Sequence, residues 1–98
     1  MFITITSSIV TLEQSQEVGD FLSKFLPKMQ QQAGVLAAYH YDRPDKGDDV
    51  TVIVWPSQEA VQAYKQGDLV KEAQAFEKAH GLSTTREGYP LSYPTTSS

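Results

Sequence analysis

Apolar and polar positions alternate at the start of the chain. In residues 2–10, "FITITSSIV", Ile and Thr trade places with a period of two, which predicts a strand. The period then changes. Val18, Phe21, Leu22, Phe25, Leu26 and Met29 fall at i, i+3, i+4, i+7, i+8 and i+11, one face of a helix over residues 15–33. Pro27 lies inside it, lacks a backbone donor and crowds the preceding turn, so a kink or restart is expected near residue 26. Gly34 is the expected left-handed stop. Residues 35–42, "VLAAYHYD", and 49–55 return to strand character, and the polar turn "RPDKGDD" joins them as an antiparallel hairpin. Ser57 is placed to cap a second helix, with Glu59 in its first turn and Ala60, Val61 and Tyr64 facing inward. "QGD" at 66–68 interrupts the pattern, Asp68 is placed to recap it, and Leu69, Val70, Ala73, Phe76 and His80 carry it on to Gly81. Residues 82–87 and "YPLSY" at 89–93 predict a last strand, in which Pro90 marks an edge or a bulge. Residues 94–98 are expected to fray.

The order β-α-β-β-α-β is that of a ferredoxin-like α+β fold, a four-stranded antiparallel sheet with two helices on one face. Strands 2 and 3 do not suit a sheet that is wet on its other face. Val50, Val52 and Val54 lie on one side of strand 3, with Ile53 and Trp55 on the other. In strand 2, Val35, Ala37, Tyr39 and Tyr41 oppose Leu36 and Ala38. Two such sheets packed face to face bury both sides, so a homodimer is expected.

Composition narrows the function. The 98 residues suffice for one domain, expected over residues 1–93. Net charge is −4 without a Lys/Arg cluster, which disfavours nucleic acid and anionic membranes as partners. With no cysteine, thiolate catalysis and zinc–thiolate sites are excluded. No basic leader or long apolar run is present, so a cytoplasmic protein with no membrane partner is expected. The two histidines, His40 and His80, lie 40 residues apart without matching His/carboxylate spacing, so no metal site is expected. No phosphate loop, nucleophile elbow or dinucleotide fingerprint occurs, so neither flavin nor nicotinamide is implied.

Three features together resemble the antibiotic biosynthesis monooxygenase family of dimeric α+β barrels, over about residues 2–90: Gly34 between helix 1 and strand 2, the strand-to-helix run "WPSQEA" at 55–60, and the element order. The resemblance implies an apolar, aromatic-lined pocket between sheet and helices. It also implies cofactor-independent monooxygenation of a small quinol or phenol, so no cofactor is expected. The same fold hosts members without known activity, so a non-catalytic small-molecule-binding or stress-related protein is the alternative, with haem degradation a third. Many members carry a helix-2 histidine where this chain has Tyr64. The haem-ligating histidine of the haem-degrading branch corresponds to Gln74 here, and glutamine is a poor iron ligand.

His40 is the candidate base, because imidazole is the side chain that ordinarily titrates nearest neutrality; the alternative is a histidine satisfied within the core. Tyr64 and Tyr39 are candidate hydroxyl partners for the substrate oxygen, or amphipathic filler with hydroxyls at the rim. Trp55 either forms the stacking wall of the pocket or anchors helix 2. Arg86 either pairs with a substrate anion or forms a surface ion pair. His80, at a helix C-terminus, is a poorer base because the helix dipole favours its protonated form.

Overall fold

A computed structural model describes residues 1–92. The expected tail at 94–98, and Tyr93 at the end of the expected last strand, lie outside the described residues. The elements are β1 (Phe2–Ile9), α1 (Ser15–Gln31), β2 (Ala37–Arg43), β3 (Asp48–Trp55), α2 (Gln58–Lys65), α3 (Asp68–Ala79) and β4 (Ser83–Pro90). The strands form one antiparallel sheet in the order β2-β3-β1-β4. This is the ferredoxin-like fold expected from the sequence, with three helices in place of two. The second helix is divided at Gln66 and Gly67. Gly67, not Asp68, is the extended N-cap of α3, and Asp68 sits in its first turn without a capping hydrogen bond. Ser57 caps α2 as expected, its hydroxyl accepting from the Ala60 backbone N–H at 3.3 Å.

Pro27 does not divide α1, which runs unbroken from Ser15 to Gln31. Pro27 lies on the exposed side of the helix, where water can satisfy the carbonyl that its missing N–H leaves free. The chain between α1 and β2 also departs from simple alternation. Val35 donates to the Gln32 carbonyl in a turn and packs against the core, while Leu36 is exposed. Gly34 adopts φ +91°, and a Cβ there would stand 3.1 Å from the Cβ of Ala60. Glycine is thus required twice, by the left-handed backbone and by the close approach of α2.

The register sorts the sheet into two faces. Toward the helices point Ala38, His40 and Asp42 of β2; Asp49, Thr51, Ile53 and Trp55 of β3; Thr4, Thr6 and Ser8 of β1; and Thr84 and Arg86 of β4. The core lies between this face and the helices, where Phe25, Met29, Ile53, Trp55, Val61 and Ala73 form one cluster. The opposite face carries Ile3, Ile5, Tyr39, Tyr41, Val52 and Val54. Tyr39 and Tyr41 are exposed there, and the aliphatic residues are half-buried.

Trp55 is 0 % exposed. Its indole N–H donates to Thr4 Oγ1 at 2.9 Å, and its ring lies 5.2 Å from that of Tyr64. One residue therefore ties β3 to β1 and supports α2. Trp55→Ala is expected to cost about 3–5 kcal/mol of stability, measurable as a lower urea midpoint. A variant as stable as the parent would show that the indole is not structural.

Candidate functional site

Three cavities lie in a row between the sheet and the helices. The largest, about 580 Å³, is bounded by α1 and the β2–β3 hairpin and lined by Val10, Leu12, Val18, Leu22 and Leu26, with His40, Asp42 and Asp49 on its sheet side. Gly19 contributes bare backbone to the same wall. Val18, Leu22 and Asp49 also line an inner cavity of about 60 Å³, which Thr51, Tyr64 and Arg86 help to close. Thr6, Ile53, Tyr64 and Arg86 in turn border a third cavity of about 260 Å³ beside α2.

His40 enters the largest cavity because β2 alternates, and β3 fixes its ring. Thr51, directly opposite in the register, places Oγ1 3.0 Å from His40 Nδ1. On the other side of the ring, Nε2 lies 3.3 Å from Asp42 Oδ1 and 3.9 Å from Asp49 Oδ2. Asp42 and Asp49 face each other across the two strands. Asp42 is exposed, whereas Asp49 is only 8 % exposed. Burial pushes the Asp49 carboxyl above the ordinary carboxylate range; the His40 ring opposes that rise, and the negative charges of Asp42 and Asp48 add to it.

The other expected site residues lie elsewhere. Tyr64 stands between the inner and third cavities, its hydroxyl held protonated by burial and by Glu77, against the pull of Arg86. Arg86 donates to both carboxylate oxygens of Glu77, at 2.9 and 2.6 Å, so its charge is already matched. Trp55 lines none of the three cavities and belongs to the core. Tyr39 points to the opposite face of the sheet, away from His40 and Tyr64. Gln74 is exposed on the outer side of α3. His80 closes the end of α3, with Nδ1 3.0 Å from the Phe76 carbonyl and Nε2 2.8 Å from Glu17 on α1. Asp42 and Asp49 were not expected at the site. Strand alternation puts Asp42 two residues beyond His40 on the same face, and the hairpin register then brings Asp49 opposite.

Residues 1–75 match the family model described as antibiotic biosynthesis monooxygenase. The chain belongs to that family. No curated protein matches the sequence. Among solved structures, a Deinococcus radiodurans protein assigned as an antibiotic biosynthesis monooxygenase superposes with a TM-score of 0.89 at 14% identity, covering 98% of this chain and 97% of its own. A second antibiotic biosynthesis monooxygenase gives 0.79 at 19% identity over 95% of this chain and 100% of its own. An asparagine-to-alanine variant of SnoaB, a cofactor-independent oxygenase from Streptomyces nogalater, gives 0.72 at 13% identity, covering 97% of each chain. At these identities the likeness carries the fold of the antibiotic biosynthesis monooxygenases and leaves the site to be argued from its own residues. Among the described residues, no helix of this family member is long and apolar enough to cross a membrane.

A carboxyl whose pKa is raised on folding adds stability while protonated, and that contribution fades as pH rises through the folded value. The charged form of Asp49 is therefore a burden at neutral pH. In metal-free buffer, Asp49→Asn is expected to melt about 2–5 °C higher than the parent at pH 7. The two curves should converge below about pH 4. A lower melting temperature for the variant at pH 7 would mean that His40 more than offsets the burial of the charge.

Proposed function

We propose that the protein is a cofactor-independent monooxygenase acting on a small aromatic phenol or quinol in the cavity beside α1. The observation that carries this reading is His40, held by Thr51 and opening into a cavity of about 580 Å³ walled by aliphatic side chains. Such a cavity suits a small aromatic molecule, and a single polar cluster on one wall would orient it. The family supports oxygenation as the reaction class.

The chemistry asks little of the protein. A phenol with an open para carbon and dioxygen give a quinone and water. One oxygen atom enters the ring, the other leaves as water, and the substrate supplies all four electrons. The reacting species is the phenolate. With a phenol pKa of about 10, roughly one molecule in a thousand is ionised at pH 7, so a base placed at the hydroxyl has a clear task. His40 Nε2 is the assigned base, and the carboxylates of Asp42 and Asp49 stabilise the imidazolium that forms. Val18, Leu22 and Leu26 keep water from the anion. Tyr64 and Arg86 line the inner cavity, away from His40. Their proposed role is to close its far end, with the Tyr64 hydroxyl as a donor to any substrate oxygen that reaches it. Trp55 acts by supporting Tyr64, and Tyr39 is left out of the pocket.

Dimerisation forms part of the same proposal. The face bearing Ile3, Ile5, Tyr39, Tyr41, Val52 and Val54 is apolar and uncovered in one chain, and a second copy packed sheet to sheet would bury it. Tyr39 then serves the interface.

His40→Ala is expected to lower kcat/KM by about 10²–10⁴ in oxygen consumption with a panel of phenols and quinols. His80→Ala should change it by less than about tenfold. Full activity in a folded His40→Ala protein would overturn the base assignment. Ligand binding by the parent with no oxygen uptake above the uncatalysed rate would replace the enzyme with a carrier. Sedimentation equilibrium at micromolar concentration is expected to give twice the 10.9 kDa chain mass, falling toward one chain in Val52→Asp. A well-folded parent monomer would remove the dimer.

A further inference from the structure

The two aspartates beside His40 do more than a base requires. Asp42 and Asp49 sit directly opposite each other in the β2–β3 ladder, a like-charge pairing that weakens a sheet. Asp49 is 8 % exposed, yet among the described residues its only ionic neighbour is the His40 ring at 3.9 Å, and no hydrogen-bond donor lies on its carboxylate. Asp49 lines both the large and the inner cavity. Arg43, next to Asp42 in sequence, points to the other face of the sheet and is bound in both directions by Asp48, at 2.8 and 2.6 Å. A buried carboxylate opposite a second one, with one imidazole between them, is short of positive charge.

We propose that His40 Nε2, Asp42 and Asp49 bind a divalent first-row transition-metal ion at the sheet-side wall of the large cavity. One ligand atom from each residue lies within 4.8 Å of the other two. Ligand atoms around such an ion stand about 3.0–3.5 Å apart. The 3.3 and 3.9 Å separations from Nε2 therefore need little adjustment. Asp42 supplies the rest, because its side chain is 73 % exposed and free to swing inward. Thr51 completes the arrangement. With Nδ1–H donating to Thr51 Oγ1, the Nε2 lone pair is left for the ion, as outer-shell partners of ligating histidines commonly ensure. One imidazole with two carboxylates mixes the donors preferred by zinc and iron with those preferred by manganese, which selects the first-row class. Three protein ligands leave positions open toward the cavity. This inference stands apart from the oxygenase reading: an ion on Nε2 takes up the lone pair which that reaction gives to the substrate proton, and its binding is measured without turnover.

The test is titration of the chelator-stripped full chain with Co²⁺, followed by calorimetry and by visible ligand-field absorption, and repeated with Zn²⁺ and Mn²⁺. One ion per chain is expected, with a Co²⁺ spectrum that changes on binding. His40→Ala and Asp49→Asn should abolish it. Asp42→Asn, at an exposed position that does not threaten the fold, should weaken it at least about tenfold. Thr51→Val should weaken it by about 10- to 100-fold. His80→Ala, which removes the other histidine–carboxylate pair of the described residues, should leave binding unchanged. Failure of all three ions to bind would overturn the proposal. So would binding that is undiminished in Asp42→Asn, is retained in Asp49→Asn or is lost in His80→Ala.

Discussion

β3 lies between β1 and β2 and pairs with both, so its register decides which side chains share a face. A slip of one residue against β2 would set Thr51 against a different partner, break the contact that holds the His40 ring, and part Asp42 from Asp49. The turn that fixes this register is short. Lys46 and Gly47 both donate to the Arg43 carbonyl, at 3.0 and 2.9 Å, and Gly47 takes φ +71°. At the far end of β3 the Trp55–Thr4 hydrogen bond holds the pairing with β1. The strand is thus pinned at both ends, and the polar cluster sits at the hairpin end.

The two ends of the sheet differ in what they ask of the helices. Around Trp55 the core is filled by Phe25, Met29 and Val61. Around His40 the covering is the first half of α1 together with Leu26 and the Val10–Leu12 segment that precedes the helix, and a cavity remains. That half of α1 is tied to the end of α3, because Gln14 Nε2 donates to the His80 carbonyl at 2.8 Å and Glu17 pairs with the His80 ring. A helix anchored from its side can span a hollow that packing alone would tend to close.

Much of this was legible in the sequence. Period-two and helical patterns located all four strands and the helical segments, and "WPSQEA" marked the passage from β3 to α2. The misses have particular causes. Val35 has strand character in the sequence, but Gly34 at positive φ carries the turn past it. Pro27 brings no restart of α1, because the carbonyl it leaves free is on the exposed side and needs only water. Tyr39 and His40 cannot share one pocket, because neighbours in a strand point to opposite faces. Asp42 shares His40's face by that same alternation. Asp49 needed the hairpin register as well, which the turn length alone does not supply. For Trp55 the sequence leaves both a pocket wall and a core anchor open, and only the three-dimensional packing puts it in the core, outside the three cavities.

Gly19 gives the large cavity a further property. It lies within α1, on the cavity wall, and a Cβ added there meets nothing within 4 Å. A glycine inside a helix costs roughly 0.5–1 kcal/mol relative to alanine, so the position surrenders helix strength where neither packing nor backbone geometry demands it. Any side chain placed there would enlarge that wall without disturbing the sheet, the hairpin or the His40 cluster. Volume and chemistry are therefore set by separate parts of the chain. A substitution at this one helical residue would change the size of molecule admitted and firm the helix as it does so.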